Sequence, residues 1–236
     1  TALRTDSNET VYFSCNFLMM CCGYYDYENG YAPNFSGTDR FSGQVIHAQH
    51  WPEGLDFANK RVVVIGSGAT AVTLIPELAK QAKHTVMLQR SPTYIHSHPV
   101  EDSWAVTLRK FLPNTWAFRI TRWKQVAAQM FGYQLARRFP KLARNSLLQQ
   151  ARDALGADYD IEKHFTPKYN PWDQRVCAVP ENDLFNAIRE QRAEVVTDKI
   201  TNFTETGIQL ESGNALEADI IVLATGLNIK YLGGAS

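Results

Sequence analysis

The 236-residue sequence predicts an α/β fold built around a parallel sheet. Three apolar stretches carry this prediction: residues 61–65, which run into Gly-Ser-Gly; residues 85–88; and residues 220–225, which run into Gly226. Continuous runs of β-branched residues are typical of strands buried on both faces of a parallel sheet, and such strands are joined by helical crossovers.

The start and the end of the chain predict the same local design twice. Residues 5–8 supply turn residues, and the apolar run of residues 17–22 then predicts a buried strand that ends at Gly23. Residues 206–226 repeat this order of hairpin, apolar strand and glycine, which indicates two copies of the closing segment of a nucleotide-binding unit. We therefore expect a piece of a two-nucleotide protein, with the opening segment of the first unit upstream of Thr1.

The stretch of residues 41–59 is predicted to link the two units, and its composition is unusual for a linker. Phe41, Gly43, His47 and Trp51 lie within eleven positions of one another. Linkers are normally polar or rich in glycine and proline. The rings therefore indicate that this stretch is held against something.

The strongest chemical signal follows the strand at residues 61–65 and reads Gly66-Ser67-Gly68-Ala69-Thr70-Ala71-Val72. Gly66 permits a tight turn, Gly68 lets the backbone approach a pyrophosphate, and the small Ala71 allows close packing of helix against strand. The helix is expected to reach about Gln81, with Pro76 inside it. This strand, turn and helix predict a Rossmann-like dinucleotide-binding domain.

The next predicted strand ends before Arg90 and Ser91. An NAD-specific domain carries an acidic residue at this strand end, and the sequence has none there. A guanidinium is suited to a ribose 2′-phosphate, and the Ser91 hydroxyl can assist it. These residues favour NADP over NAD; the alternative is a surface arginine without a ligand.

Residues 101–165 predict a helical insertion, interrupted at Pro113 and Pro140. Between Ser103 and Arg152 there are ten basic residues, no acidic residue, and an interleaved set of tryptophan, phenylalanine and tyrosine side chains. One interpretation is a solvated basic face. The other is a peripheral contact with an anionic membrane surface through residues 103–152.

Arg175 follows a loop rich in proline and aromatic residues and precedes an apolar run. An arginine held there stays charged at any working pH and is able to stabilise an anion in a closed site. The residues themselves leave open whether it does so or instead forms a structural ion pair with Asp173 or Asp183.

Composition excludes several other classes. The net charge of zero gives no overall attraction to nucleic acid, and no apolar run is long enough for a membrane span. The four cysteines form no CxxC pair and are expected to be buried, reduced thiols, the histidines lack zinc spacing, and no Gly-x-Ser-x-Gly elbow is present. We therefore expect a cytoplasmic protein without a metal site.

Phe41-x-Gly43-x-x-x-His47-x-x-x-Trp51-Pro52 resembles the fingerprint of the type I Baeyer-Villiger monooxygenases, which use FAD, NADPH and O2. The likeness extends over Cys22–Tyr25, Gly66–Val72, the residues around Arg90 and the stretch 164–179. It implies FAD-domain strands at residues 1–40, an NADP domain at residues 60–226 and a return toward the FAD domain at residues 227–236.

The resemblance also implies roles. Gly66 to Val72 would hold the NADP pyrophosphate, Arg90 and Ser91 the 2′-phosphate, and Arg175 would stabilise the anionic flavin peroxide. His47 and Trp51 would anchor the joint between the domains, with Gly43 permitting a bend. Many members carry a lysine before the catalytic arginine, where this sequence has Gln174.

The activity implied is insertion of one oxygen atom of O2 beside a ketone carbonyl, with oxidation of thioamides or sulfides as a related reaction. Two alternatives remain: a flavin monooxygenase that oxygenates heteroatoms, and an NADP-binding module without catalysis of its own. The sequence specifies neither the substrate nor an oligomeric state.

Overall fold

The computed structural model describes residues 1–234, which form two units. The larger unit comprises residues 32–226, and the smaller comprises residues 1–31 with the segment that begins at Leu227. In chain order the strands are β1 (Ala2–Leu3), β2 (Thr10–Val11), β3 (Tyr25–Gly30), β4 (Gln44–His47), β5 (Arg61–Ile65), β6 (His84–Gln89), β7 (Tyr94–His98), β8 (Val176–Pro180), β9 (Ala193–Thr197), β10 (Ile200–Thr204), β11 (Gly207–Leu210), β12 (Ala215–Glu217), β13 (Ile220–Leu223) and β14 (Leu227–Ile229).

The helices all lie in the larger unit, apart from a short 3-10 turn at Tyr231–Gly234. They are α1 (Ala69–Leu78), α2 (Ser103–Phe111), α3 (Asn114–Arg138), α4 (Pro140–Leu155), α5 (Ile161–Phe165) and α6 (Asp183–Arg189), with 3-10 turns at Thr38–Arg40 and Ala48–His50. Within residues 1–234, no helix is both long and apolar enough to span a lipid bilayer.

A five-stranded parallel sheet forms the centre of the larger unit, in the order β4-β13-β5-β6-β9. The predicted α/β class is therefore confirmed. Strand β5 lies in the middle, and Val62, Val63 and Val64 are almost completely buried. The chain leaves β5 through α1 toward β6 on one side, whereas β13 lies on its other side. In open α/β sheets, ligands bind at the carboxyl ends of strands where the order reverses in this way.

Apolar side chains cover both faces of this sheet. On one face α1, α4, α5 and α6 contribute to a core that includes Tyr94 and Phe185. On the other face Phe41 packs with Phe203 and Ile208, which belong to the antiparallel sheet β10-β11-β12. Strands β7 and β8 form a separate parallel pair. Because both faces are covered, the continuous apolar runs of the sequence are explained.

The helical insertion has the interruptions that the prolines predict. Pro113 precedes the first residue of α3, and Pro140 is the first residue of α4. Proline fits the start of a helix because the amide hydrogen that it lacks would have no partner there. The helix α1 contains Pro76 as expected, but it ends at Leu78, before the predicted Gln81.

The smaller unit contains the antiparallel pairs β1-β2 and β3-β14. The prediction of a buried strand at residues 17–22 is wrong, because these residues form no strand and Phe17, Leu18 and Met19 are exposed. A parallel strand requires neighbours that pair with its backbone, and none of residues 1–234 pairs with this stretch.

Two further expectations need correction. Cys15 and Cys21 are exposed and Cys22 is partly exposed, so only Cys177 is the buried thiol that the sequence predicted. Residues 44–47, expected within a linker, form the edge strand β4 and pair with β13 along its whole length. This pairing, with the partial burial of Val45, Ile46 and His47, shows that this part of the stretch is held against the sheet.

Candidate functional site

The glycine-rich turn lies at the carboxyl end of β5, beside the end of β13. The amide of Gly66 donates to the carbonyl of Leu88 at 2.9 Å, which ties the turn to the adjacent strand β6. Gly66 has φ of 145°, and a Cβ added to it would lie 2.4 Å from the carbonyl oxygen of Ala224. A side chain at this position is therefore excluded by both backbone conformation and space.

Gly68 differs from Gly66 because no contact among residues 1–234 requires a glycine there. Its φ is −84°, which any residue adopts, and an added Cβ would meet no atom within 4 Å. The space beside Gly68 is open, and helix α1 begins at the next residue without a side-chain cap. The amide groups of the first helical turn have no acceptor within the helix, so they are suited to bind an anion.

The residues after Gly68 divide between this open side and the core. Ala69 and Thr70 are exposed, whereas Ala71 and Val72 are buried against the sheet. Complete burial of Ala71 fits the predicted need for a small residue where helix and strand pack closely. The turn thus has the shape that a pyrophosphate requires: exposed backbone on one side and a rigid apolar support on the other.

Ser67 connects this turn to two other parts of the chain. Its side chain is buried, and its Oγ donates to the carbonyl oxygen of Ser91 at 3.0 Å. The same Oγ accepts a hydrogen bond from Nη2 of Arg175, also at 3.0 Å. The three regions that the sequence analysis singled out separately therefore meet at one hydroxyl group.

Hydrogen bonds from tyrosine side chains fix the backbone around Arg175. The hydroxyl of Tyr169 donates to the Arg175 carbonyl at 3.0 Å and lies 3.0 Å from the Thr93 hydroxyl. The hydroxyl of the fully buried Tyr94 donates to the Tyr169 carbonyl at 2.7 Å. Strand β8 begins directly after Arg175 and pairs with β7, so the loop is held at both ends.

The structure removes one alternative for Arg175. Asp173 forms an ion pair with Arg137, which lowers the pKa of the Asp173 carboxyl. Asp183 accepts the amide of Leu184, and burial raises its pKa. Neither carboxylate pairs with Arg175, and no other carboxylate of residues 1–234 does. Its guanidinium is thus held by a neutral hydroxyl and keeps its charge available.

Arg90 lies at the exposed end of β6, immediately before Ser91. Within the described part of the chain it forms no ion pair or side-chain hydrogen bond. The preceding Gln89 is buried and donates from Nε2 to the His164 carbonyl and to the Thr197 hydroxyl, each at 2.8 Å. The strand end is therefore rigid, while the cationic side chain beyond it is free to bind a ligand.

The four fingerprint residues have separate environments. Phe41 is buried and contacts Phe203 edge to face, with ring centroids 6.4 Å apart. Gly43 does not have a positive φ; a Cβ there would lie 2.3 Å from the carbonyl oxygen of Asp219. Gly43 lies in a bend directly before β4, and the close approach of Asp219 leaves no room for a side chain there. Its role in the joint between the domains stays a prediction.

His47 ends β4, and its Nδ1 accepts the amide of Gln49 at 3.2 Å. Its Nε2 is buried and has no hydrogen-bond partner among residues 1–234. Trp51 follows the 3-10 turn and remains partly exposed. His47 therefore combines a local capping role with a ring nitrogen that is left without a partner.

Sequence reasoning missed Tyr169 and Thr93 as the residues that fix Arg175. Tyr169 lies in the same loop rich in proline and aromatic residues, which was the available signal. Thr93 had none, because only the pairing of β7 with β8 brings it near. No group of three or more histidine, cysteine, aspartate or glutamate side chains suitable for a metal ion occurs among residues 1–234.

Residues 4–232 match the model of the family described as flavin-binding monooxygenase-like. The chain is 54% identical over 229 residues to the FAD-containing monooxygenase EthA of Mycolicibacterium smegmatis, covering 97% of this chain and 46% of that protein. It spans about half the length of the curated relatives it matches.

Solved structures share the fold. A crystal structure of OTEMO in complex with FAD and NADP is similar with a TM-score of 0.68 and 22% identity, over 94% of this chain and 49% of that one. Cyclohexanone monooxygenase with ε-caprolactone bound gives a TM-score of 0.67 at 22% identity, over 89% and 48%. Together with the family match, the parallel sheet and its glycine-rich turn identify the chain as a member of the flavin-binding monooxygenase-like family.

Proposed function

We propose that the protein is an NADPH- and FAD-dependent monooxygenase and that this chain holds its NADP site. The observation that carries the proposal is the hydrogen bond between Arg175 and Ser67, which joins a charged arginine to the dinucleotide-binding turn. An arginine in this place lies beside the turn to which we assign the pyrophosphate, and we assign to its charge the role of stabilising the anion formed during the reaction.

The residues of the turn fit NADP. The open space beside Gly68 and the uncapped amides at the start of α1 suit a pyrophosphate. Arg90 extends from the next strand end, where a ribose 2′-phosphate binds in this fold, and it has no competing carboxylate among residues 1–234. Ser91 is held beside it through its carbonyl.

FAD, when bound, supplies the chemistry that transfers oxygen from O2. The described residues contain one glycine-rich strand, turn and helix, and we assign it to NADP, so no FAD ligand is assigned among them. The contribution of this chain is to bind and orient the nicotinamide dinucleotide and to present the Arg175 guanidinium. A fixed positive charge there stabilises negative charge on oxygen. Because the charge is already in place, no free energy is spent on reorienting dipoles, as it would be in water.

The proposed reaction inserts one oxygen atom next to a ketone carbonyl, with thioamides or sulfides as further substrates. Cyclohexanone monooxygenase, whose structure contains a lactone, is similar in fold. The proposed role of the fingerprint, which includes His47 and Trp51, is to couple NADP binding to the position of the neighbouring domain.

The test uses the full-length protein that contains this chain, supplied with NADPH, FAD, O2 and a simple aryl ketone. We expect an ester in proportion to the NADPH consumed, and we expect R175A to abolish the ester while NADP still binds. Oxidation of a sulfide without any ester would favour a heteroatom oxygenase instead. NADP binding without turnover of any substrate would leave only a binding module.

A separate proposal concerns residues 103–152. Their exposed basic and aromatic side chains suit a peripheral contact with an anionic membrane surface.

A further inference from the structure

Helix α3 carries a stripe of large apolar side chains that are exposed to solvent. Trp116, Ile120, Trp123 and Met130 are 57%, 42%, 70% and 65% exposed. They are spaced by four, three and seven residues, with the exposed Ala127 between the last two, so they lie on one face of the helix. Tryptophan and methionine in such a row are unfavourable in water unless the row meets an apolar phase.

Parts of the other faces of α3 have partners in the larger unit. Ala117 and Ala136 are buried, and at 100° per residue they lie about 100° and 200° around the helix from Trp116. Tyr133 packs edge to face on Trp172, and Arg137 pairs with Asp173. The stripe is therefore a face that packing within the described residues does not use.

The charges beside the stripe indicate what occupies it. Lys124 is neutralised by Asp102, but Arg119 and Arg138, about 60° and 40° around the helix from Trp116, have no carboxylate partner within residues 1–234. Arg119 instead lies over the ring of Trp116, 5.6 Å from its centroid. A second copy of the same helix would bring arginine against arginine, whereas an anionic surface neutralises them.

We propose that this stripe is the face through which α3 lies in the interfacial plane of an anionic lipid membrane. The helix has 25 residues and is about 37 Å long, so it lies along the surface. Trp116 and Trp123 occupy the headgroup level, where indole rings are favoured, and the arginines contact lipid phosphates. The inference rests on the membrane contact that we propose for residues 103–152, and not on the monooxygenase activity.

The test compares two variants of the full-length protein in vesicle flotation. The first is W123S/M130S on the stripe, and the control is F118S, whose ring is 60% exposed and lies on the opposite side of α3. Vesicles contain phosphatidylcholine alone or phosphatidylcholine with phosphatidylglycerol. We expect flotation only with phosphatidylglycerol, weakened roughly tenfold in W123S/M130S and unchanged in F118S.

The other outcomes overturn the inference in distinguishable ways. Flotation that survives in W123S/M130S means that residues 103–152 meet the membrane through another face. If the wild-type protein does not float with the vesicles, residues 103–152 make no membrane contact. If the wild-type protein forms a dimer without lipid and W123S/M130S is a monomer, then a second copy of the chain covers the stripe. Turnover of a water-soluble substrate is measured in parallel, and we expect all variants to retain it.

Discussion

Arg175 and Ser67 are separated by 108 positions in the sequence, yet Nη2 of the arginine donates to Oγ of the serine at 3.0 Å. The serine hydroxyl in turn donates to the Ser91 carbonyl. One buried hydroxyl thus links the glycine-rich turn proposed to bind NADP, the strand end that carries Arg90, and the arginine proposed to act in oxygen transfer. The position of the guanidinium is therefore coupled to the loop that we propose to hold NADP.

The first prediction concerns this hydroxyl. In S67A the guanidinium loses its acceptor, and a hydrogen bond to a charged group is worth about 1.5–3 kcal/mol. We expect the kcat for oxygenation to fall roughly tenfold or more with a smaller change in NADP affinity. S67T keeps a hydroxyl and should recover most of the rate. Equal loss in S67T would show that the site responds to side-chain volume instead.

The second prediction separates the two glycines of the turn. G66A should destabilise the protein, because the backbone conformation is unfavourable for alanine and the added carbon lies 2.4 Å from the Ala224 carbonyl oxygen. G68A meets no protein atom, so the unfolding temperature should stay unchanged while NADP binding weakens at least about tenfold. Thermal unfolding and titration calorimetry with NADP measure both. Unchanged NADP affinity in G68A would argue against pyrophosphate beside it.

The third prediction tests cofactor choice. R90Q should weaken binding of NADPH by roughly tenfold to a hundredfold, because charge-assisted hydrogen bonds to the 2′-phosphate are lost. Binding of NADH should not change. R189Q, which alters an exposed arginine on α6, serves as the control. If R90Q weakens the binding of NADPH and of NADH equally, Arg90 does not recognise the 2′-phosphate.

The fourth prediction concerns stability against acid. The Arg61 guanidinium and backbone amide hold the pKa of Asp219 at about 2, below its usual 3.8. A carboxyl with a lowered pKa stabilises the fold while it is ionised, so this contribution is full above about pH 5 and is lost as the pH falls toward 2.

The difference in unfolding free energy between wild type and D219N should therefore be constant near neutral pH and shrink between about pH 4 and 2, as followed by urea denaturation. E211Q is the control, since Glu211 forms an exposed pair with Lys199 that adds little. A difference that stays constant down to pH 2 would contradict the role of the charge.

The fifth prediction concerns His47. H47A removes both the cap on Gln49 and the buried Nε2, and it should uncouple NADPH oxidation from oxygenation in the full-length protein. In H47N the amide oxygen retains the cap but nothing replaces Nε2. Uncoupling in both variants assigns the effect to Nε2, whereas normal coupling in H47N assigns it to capping alone. Normal coupling in H47A would reduce the motif to packing.

Sequence periodicity predicted the central elements because they depend on local patterns. The strand at Arg61–Ile65 has the bounds that its apolar run indicates, and Pro113 and Pro140 mark the helix starts. The same reasoning failed at residues 17–22, where an equally apolar run is exposed. An apolar pattern reports what a segment is able to bury, whereas pairing partners decide whether it is buried.

The sequence by itself determined the α/β class, the glycine-rich turn between strand and helix, and the family, because each depends on spacings over a few tens of residues. Only the tertiary structure decided that Gly43 is needed beside Asp219, that Gly66 is needed beside Ala224, and that Arg175 rests on Ser67. These contacts join positions far apart in the chain, and the packing of parallel strands brings them together. Local preferences do not encode such contacts, because the contacts form only once the parallel strands have paired.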